Sequence, residues 1–276
     1  MSPLLDKLIP FKKESNHSIS EAIFTIFLPN RFFELIKFKT LIEENGKLEN
    51  VFQHFKILEG VQFNINLTET PSPHHTKTGD DGFQMERFSN GELEWIIRYQ
   101  PNNQGLNLLT IHSLNYKGWS DFYKTIFKYL SFINEIDSNI YVSGYAISYV
   151  DQFDWIDSQH PPVALIFKKT SQYLPKSIFD SKENWNQVSN FDSDLHQKSI
   201  KQHINIGSRK ISENLYNIYL MHVSNLLFSE IESLDNFCKS DNAKKIFATE
   251  LHDLNKVFLK DCLDDTILKS IGVIIQ

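Results

Sequence analysis

The sequence predicts an α+β fold made of two similar halves, each a curved antiparallel sheet with a long helix packed on one face. Three observations carry this expectation. Four alternating strand segments follow one another between residues 57 and 114, an amphipathic helix comes directly after them, and the same order returns in the last third of the chain. At 276 residues, with 41% hydrophobic residues, 22 Phe and 10 Tyr, the chain has enough apolar surface for two modest cores. The expected divisions are an N-terminal arm (1–15), a first half (16–155), a connecting segment (156–185) and a second half (186–276).

The arm carries a short apolar patch, Leu4, Leu5, Leu8 and Ile9, closed by Pro10. "SEAIFTIFLP" is a compact strand that ends at Pro29. Phe33, Ile36 and Leu41 then fall at helical spacing, which predicts a helix to about Glu44. In "ILEGVQFNINL", Val61, Phe63, Ile65 and Leu67 alternate with polar residues, as in a half-buried antiparallel strand. "TETPSPHHTKTGDDG" reads as a loop, and Asn90-Gly91 as a two-residue hairpin turn between two further strands. "GLNLLTIHSL" supplies the fourth strand.

At "NYKGW" the periodicity changes from two to 3.6. Gly118 lets the chain turn, Ser120 is the expected N-cap, and Phe122, Ile126, Tyr129, Leu130 and Ile133 form one helical stripe. Tyr116 and Trp119 are expected to pin that helix to the sheet. "NIYVSGYAISYVDQF" is a further strand, in which Gly144 signals a bulge or close packing. "VALIF" reads as a short edge strand. "QKSIKQHINIG" and "NLYNIYLMHVSNLLF" form a hairpin around "SRKISE", and a final helix from Asp241 carries Phe247, Leu251, Leu254 and Phe258 on one stripe.

Composition excludes several function classes. The chain is mildly acidic, with 34 Asp+Glu against 28 Lys+Arg, and its basic residues come as isolated pairs, so nucleic-acid binding is not expected. Cys238 and Cys262 match no disulfide framework or zinc pattern, which fits a reducing cytoplasm. No signal peptide is expected at the N-terminus, and no window is apolar enough to span a membrane.

Candidate chemistry is sparse. His74-His75 with Asp80 and Asp81 reads as a polar loop tip, because adjacent histidines point apart. His112 lies on a strand, and His203 and His222 stand on the two strands of one hairpin, where they could face each other; no ligand-spaced carboxylate or thiol accompanies them. Glu250 and His252 sit two apart on a helix and therefore face away from each other. Neither common phosphate-binding glycine motif occurs, and no cofactor or metal is expected. The aromatics Trp155, Tyr173, Trp185 and Phe191 crowd the connecting region, either as a partner-binding surface or as a wedge between the halves. The terminus "SIGVIIQ" docks on its own sheet or pairs with a partner strand.

"SISEAIFTIFLP", "LNYKGWSDFYKTI" and "YVSGYAISYVDQF" resemble the recurring blocks of a sporadically distributed, functionally uncharacterised bacterial family of about this length. Glu21-Ala22 matches its first block, and Tyr116, Gly118, Trp119 and Phe122 match its second. Gly144, Tyr149 and Val150 keep the register of the third. Ile147 or Ser148 stands there in place of an Arg, and Asp151 in place of an Asn. The resemblance implies a mobile, phage-defence or toxin-linked setting. The leading expectation is a non-enzymatic interaction protein (adaptor, sensor or inhibitor subunit) with a protein partner, a closed homodimer being one arrangement. The alternative is a small-ligand-binding module or enzyme with a pocket between helix and sheet, lined by aromatics such as Tyr145 and Tyr149. A third reading is nucleic-acid binding through a patch assembled in three dimensions.

Overall fold

The computed structural model describes residues 5–11, 17–30, 35–64, 74–101, 106–159, 161, 163–181, 184–242 and 246–273. Its strands are β1 (Leu8–Pro10), β2 (Ile19–Leu28), β3 (His54–Asn64), β4 (His74–Ser89), β5 (Glu92–Gln100), β6 (Asn107–Ser113), β7 (Tyr141–Ile156), β8 (Trp185–Leu195), β9 (Lys198–Ser212) and β10 (Leu215–Ser233). The helices are α1 (Leu35–Asn45), α2 (Trp119–Ile136), α3 (Val163–Ile166), α4 (Leu234–Lys239), α5 (His252–Cys262) and α6 (Asp265–Ser270). The protein is α+β, with all ten strands in one antiparallel sheet ordered β3-β4-β5-β6-β2-β7-β10-β9-β8, and β1 paired to β7 beyond β2.

The four consecutive strands expected from alternation are neighbours in this order, β3 to β6. The long strands β7 and β10 join everything else. β7 has 16 residues and β10 has 19, so they run for roughly 50 Å and roughly 60 Å at about 3.3 Å per residue. That length holds two apolar clusters side by side on one sheet face. The first gathers Phe24, Phe83, Ile97, Ile111, Tyr145 and Tyr149 under the α2 stripe Phe122, Ile126, Tyr129, Leu130 and Ile133. The second gathers Phe153, Trp155, Ile204, Ile206, Ile218 and Leu220 under α3, α5 and α6. Leu8 of the arm is buried in the second cluster, opposite Trp155.

Several local expectations are corrected. α2 begins at Trp119, with Gly118 at its N-cap and no side-chain cap, so Ser120 lies inside the first turn. Gly118 has φ +133°, a conformation only glycine adopts cheaply, and that glycine determines where the corner falls. "VALIF" is not a strand: Val163–Ile166 is helical, and Phe167 makes an isolated bridge to Leu263. Burial on one side of the turn outweighs the β-propensity of Val and Ile. His74 and His75 lie on β4, which pairs with β3 from His54↔Glu86 to Asn64↔His74; Ile65 and Leu67 fall outside the described residues. "SRKIS" belongs to β9, and the hairpin turns at Glu213-Asn214. The expected last helix contains a π-helical turn over Ile246–Leu251; Leu251, Leu254 and Phe258 of the expected stripe face the cores, and Asn255, Leu259 and Cys262 join them. Cys238 and Cys262 are both free thiols. Burial pushes the Cys262 pKa up to about 12, partly offset by the Ser171 hydroxyl beside its sulfur, which fits its place in the second cluster. No helix among the described residues is long and apolar enough to cross a membrane.

Candidate functional site

The inward register of β7 reads Tyr145, Ile147, Tyr149, Asp151, Phe153, Trp155, and that of β10 reads Tyr216, Ile218, Leu220, His222, Ser224, Leu226. Each strand is apolar at both ends and polar in the middle. The polar residues meet as a buried layer between the two clusters, closed from above by α5. Leu251 and Leu254 of this helical segment reach the first cluster, Phe258 and Leu259 reach the second, and His252 and Asn255 lie between them.

The layer is tied by hydrogen bonds. His222 contacts Gln202 Oε1 through Nε2 at 2.8 Å and Asn255 Oδ1 through Nδ1 at 3.3 Å. Gln202 in turn donates to Ser193 at 2.6 Å. Burial pushes the His222 pKa down to about 4, so the ring is neutral and carries one N–H. Turning the Gln202 amide places its nitrogen on His222 Nε2 as the second donor, and its oxygen then accepts from the Ser193 hydroxyl. Asp151, 1% exposed, accepts from the Ser18 hydroxyl through Oδ1. Its Oδ2 has no hydrogen-bond partner among the described residues. Burial raises the Asp151 pKa to about 6; the Ser18 hydroxyl and the nearby Asn255 amide offset part of that rise.

Above this layer opens a cavity of about 640 Å³. The "NYKGW" corner forms one wall with Tyr116, Lys117, Gly118 and Trp119. α5 forms the opposite wall, and Asp151, Ser18 and Asn255 line the floor. The corner is therefore both a turn and a site wall. Trp119 stacks flat on His252 with ring centroids 4.4 Å apart, and His252 Nδ1 lies 2.9 Å from the Tyr149 hydroxyl. Burial, reinforced by the Lys256 charge, lowers the His252 pKa to about 4, so this ring too is neutral. Tyr116 meets Tyr149 edge-on at 6.0 Å, and burial raises the pKa of both hydroxyls. At the mouth, Lys256 pairs with Asp253 at 3.0 Å and Lys117 lies 3.8 Å from Glu94.

Tyr149 lies beneath this cavity through His252, whereas Tyr145 lines a different one, of about 690 Å³, beside the β10 irregularity between Leu227 and Glu232. Trp155, Tyr173, Trp185 and Phe191 all belong to the second cluster: Trp155 is buried, and the other three are partly buried against it. Tyr173 and Phe191 stack at 5.5 Å, and Trp185 meets Phe167 edge-on at 5.6 Å. His203 and His222 do not approach each other, because His222 pairs in register with Ile204 and faces inward, while His203 faces outward to Asn190. His112 Nδ1 lies 2.7 Å from Glu21 on the opposite sheet face, and its Nε2 is 2.7 Å from Thr110. Glu250 pairs with His196 and not with His252. Among the described residues, no three His, Cys, Asp or Glu side chains cluster as a metal site.

Asp151, Ser18, Asn255 and His252 were not legible as a site in the sequence, because three separate segments supply them. The available signal was a lone carboxylate in the inward register of β7.

Fold and cavity together define an α+β protein with a single antiparallel sheet and, between two cores, a cavity with mostly apolar walls and a polar floor. No protein-family model matches the sequence, and no curated protein does. Among solved structures, the chain is similar to the di-domain ARO/CYC BexL from the BE-7585A biosynthetic pathway. The identity is 8%, over 87% of this chain and 95% of that one, with a TM-score of 0.17, and a likeness at that level carries no argument.

Proposed function

We propose that the protein is a sensor-type binding module that holds a small organic molecule in the cavity between the "NYKGW" corner and α5. The observation that carries this reading is convergence: a cavity of about 640 Å³ has aromatic walls and a floor of buried polar groups, including an unpartnered carboxylate oxygen. Ligand pockets typically have a volume of about 300–1,000 Å³, with mostly apolar walls and a few placed polar groups. A sensor acts through another protein, so the expected partner and the phage-defence or toxin-linked setting belong to the same proposal. So does the similarity of the two halves, although both apolar clusters draw residues from each of them.

The test is native mass spectrometry of the full chain purified from its own host, followed by rebinding of any released molecule. The expected result is one small molecule per chain, whose return shifts the Trp119 indole resonance. A chain that carries nothing, and whose Trp119 and His252 resonances stay unmoved by a broad metabolite library, overturns the proposal.

A further inference from the structure

We infer that the cavity takes an organic cation, a protonated amine on an apolar or aromatic body, with its ammonium group received by Asp151. The inference rests on the binding reading above and names the ligand class for the same site.

Asp151 is 1% exposed, and one of its oxygens is committed to Ser18. The other is buried and makes no hydrogen bond of good geometry among the described residues, the neutral Asn255 amide being the nearby group that favours the charged form, and the side chain lines the cavity. A buried carboxylate with an unused acceptor is costly, and a guest bearing an N–H and a positive charge relieves both the missing hydrogen bond and the missing countercharge. The walls suit the same guest. Tyr116 and Trp119 present aromatic rings, whose electron-rich faces attract organic cations, while Ile19, Leu259 and Ile271 supply apolar contact for the body of the ligand. An anionic guest is the opposite case. Asp151 repels it, and of the three lysines that line the cavity, Lys117, Lys256 and Lys260, the first two are already directed to Glu94 and Asp253.

The experiment compares matched triplets on the full-length chain near neutral pH by saturation-transfer NMR and titration. One triplet is benzylamine, benzyl alcohol and benzoate; the other is tryptamine, tryptophol and indole acetate. The amine of each triplet is expected to bind at least roughly tenfold more tightly than its alcohol or acid, and to shift the Trp119 indole resonance. In Asp151→Asn the preference of each amine over its alcohol falls to about parity. An acid that binds as tightly as its amine, or an amine preference that survives Asp151→Asn, overturns the inference and leaves the binding reading standing. If no member of either triplet binds, the inference falls; the binding reading then falls only if the metabolite library also fails. The ranking on the wild-type chain decides the question even if Asp151→Asn does not fold.

Discussion

Trp119 and His252 stack with their planes 4° apart and their centroids 4.4 Å apart, although 133 residues separate them in sequence. Trp119 is the first residue of α2 and His252 the first of α5, so one ring pair joins the helical cover of the first cluster to that of the second. The pair also forms part of the cavity wall.

Trp119→Ala removes that joint. Loss of a half-buried indole packed on Phe122, Tyr123 and His252 is expected to cost about 2–3 kcal/mol, measured by urea unfolding, and to abolish ligand binding. Trp119→Phe retains a stacking surface and should recover more than half of the stability.

Asp151→Asn is expected to stabilise the free protein at neutral pH. The folded-state pKa, about 6, lies above the ordinary carboxylate value, so between these two values the folded chain binds the proton that the unfolded chain has released. The stability contributed by this group is therefore full in acid and is lost as pH rises through about 6. Removing the buried charge should restore up to about 3 kcal/mol at pH 7 and above, with little gain near pH 4. Thermal unfolding across this pH range checks both limbs.

His222 and His252 act in the opposite sense. Their folded-state pKa values are lowered to about 4, so below the ordinary histidine value the unfolded chain takes up protons that the folded chain refuses. Stability falls as pH drops from about 6.5 towards 4, by on the order of 2–3 kcal/mol per ring, which together exceeds the gain from Asp151. His252→Gln should flatten the acid limb of a pH–stability curve, and a curve unchanged from wild type would count against a neutral buried ring.

Gly144→Ala places a Cβ 2.5 Å from the Leu226 carbonyl oxygen, between β7 and β10, where the backbone cannot give way cheaply. The expected loss is at least about 2 kcal/mol. Gly118→Ala meets open space but must hold φ near +133°. It should cost about 1–2 kcal/mol from backbone strain alone, and it should weaken ligand binding by moving Trp119. The two substitutions separate close approach from conformation in a single unfolding series.

Much of this protein was determined locally. A compact apolar run ended by Pro29 located β2, and alternation located the run from β3 to β6, because a strand with one face on a core must be apolar at every second residue. The stripe from Phe122 to Ile133 specified α2, and Gly118 and Gly144 marked their positions through backbone requirements that no neighbouring residue can supply. Where local signals were weak, packing decided: Val163–Ile166 became helical under the second cluster, and a π-helical turn precedes α5.

The site belongs to the tertiary structure. β7 and β10 are long enough to carry two cores, and two apolar clusters on one sheet leave a gap between them that α5 covers. Only that arrangement brings Ser18, Asp151, His222, His252 and Asn255 into one layer. In the sequence each is a single polar residue among apolar ones. Periodicity reports which face a residue takes, whereas the partner across the gap is set by strand order and helix placement, which no local pattern encodes.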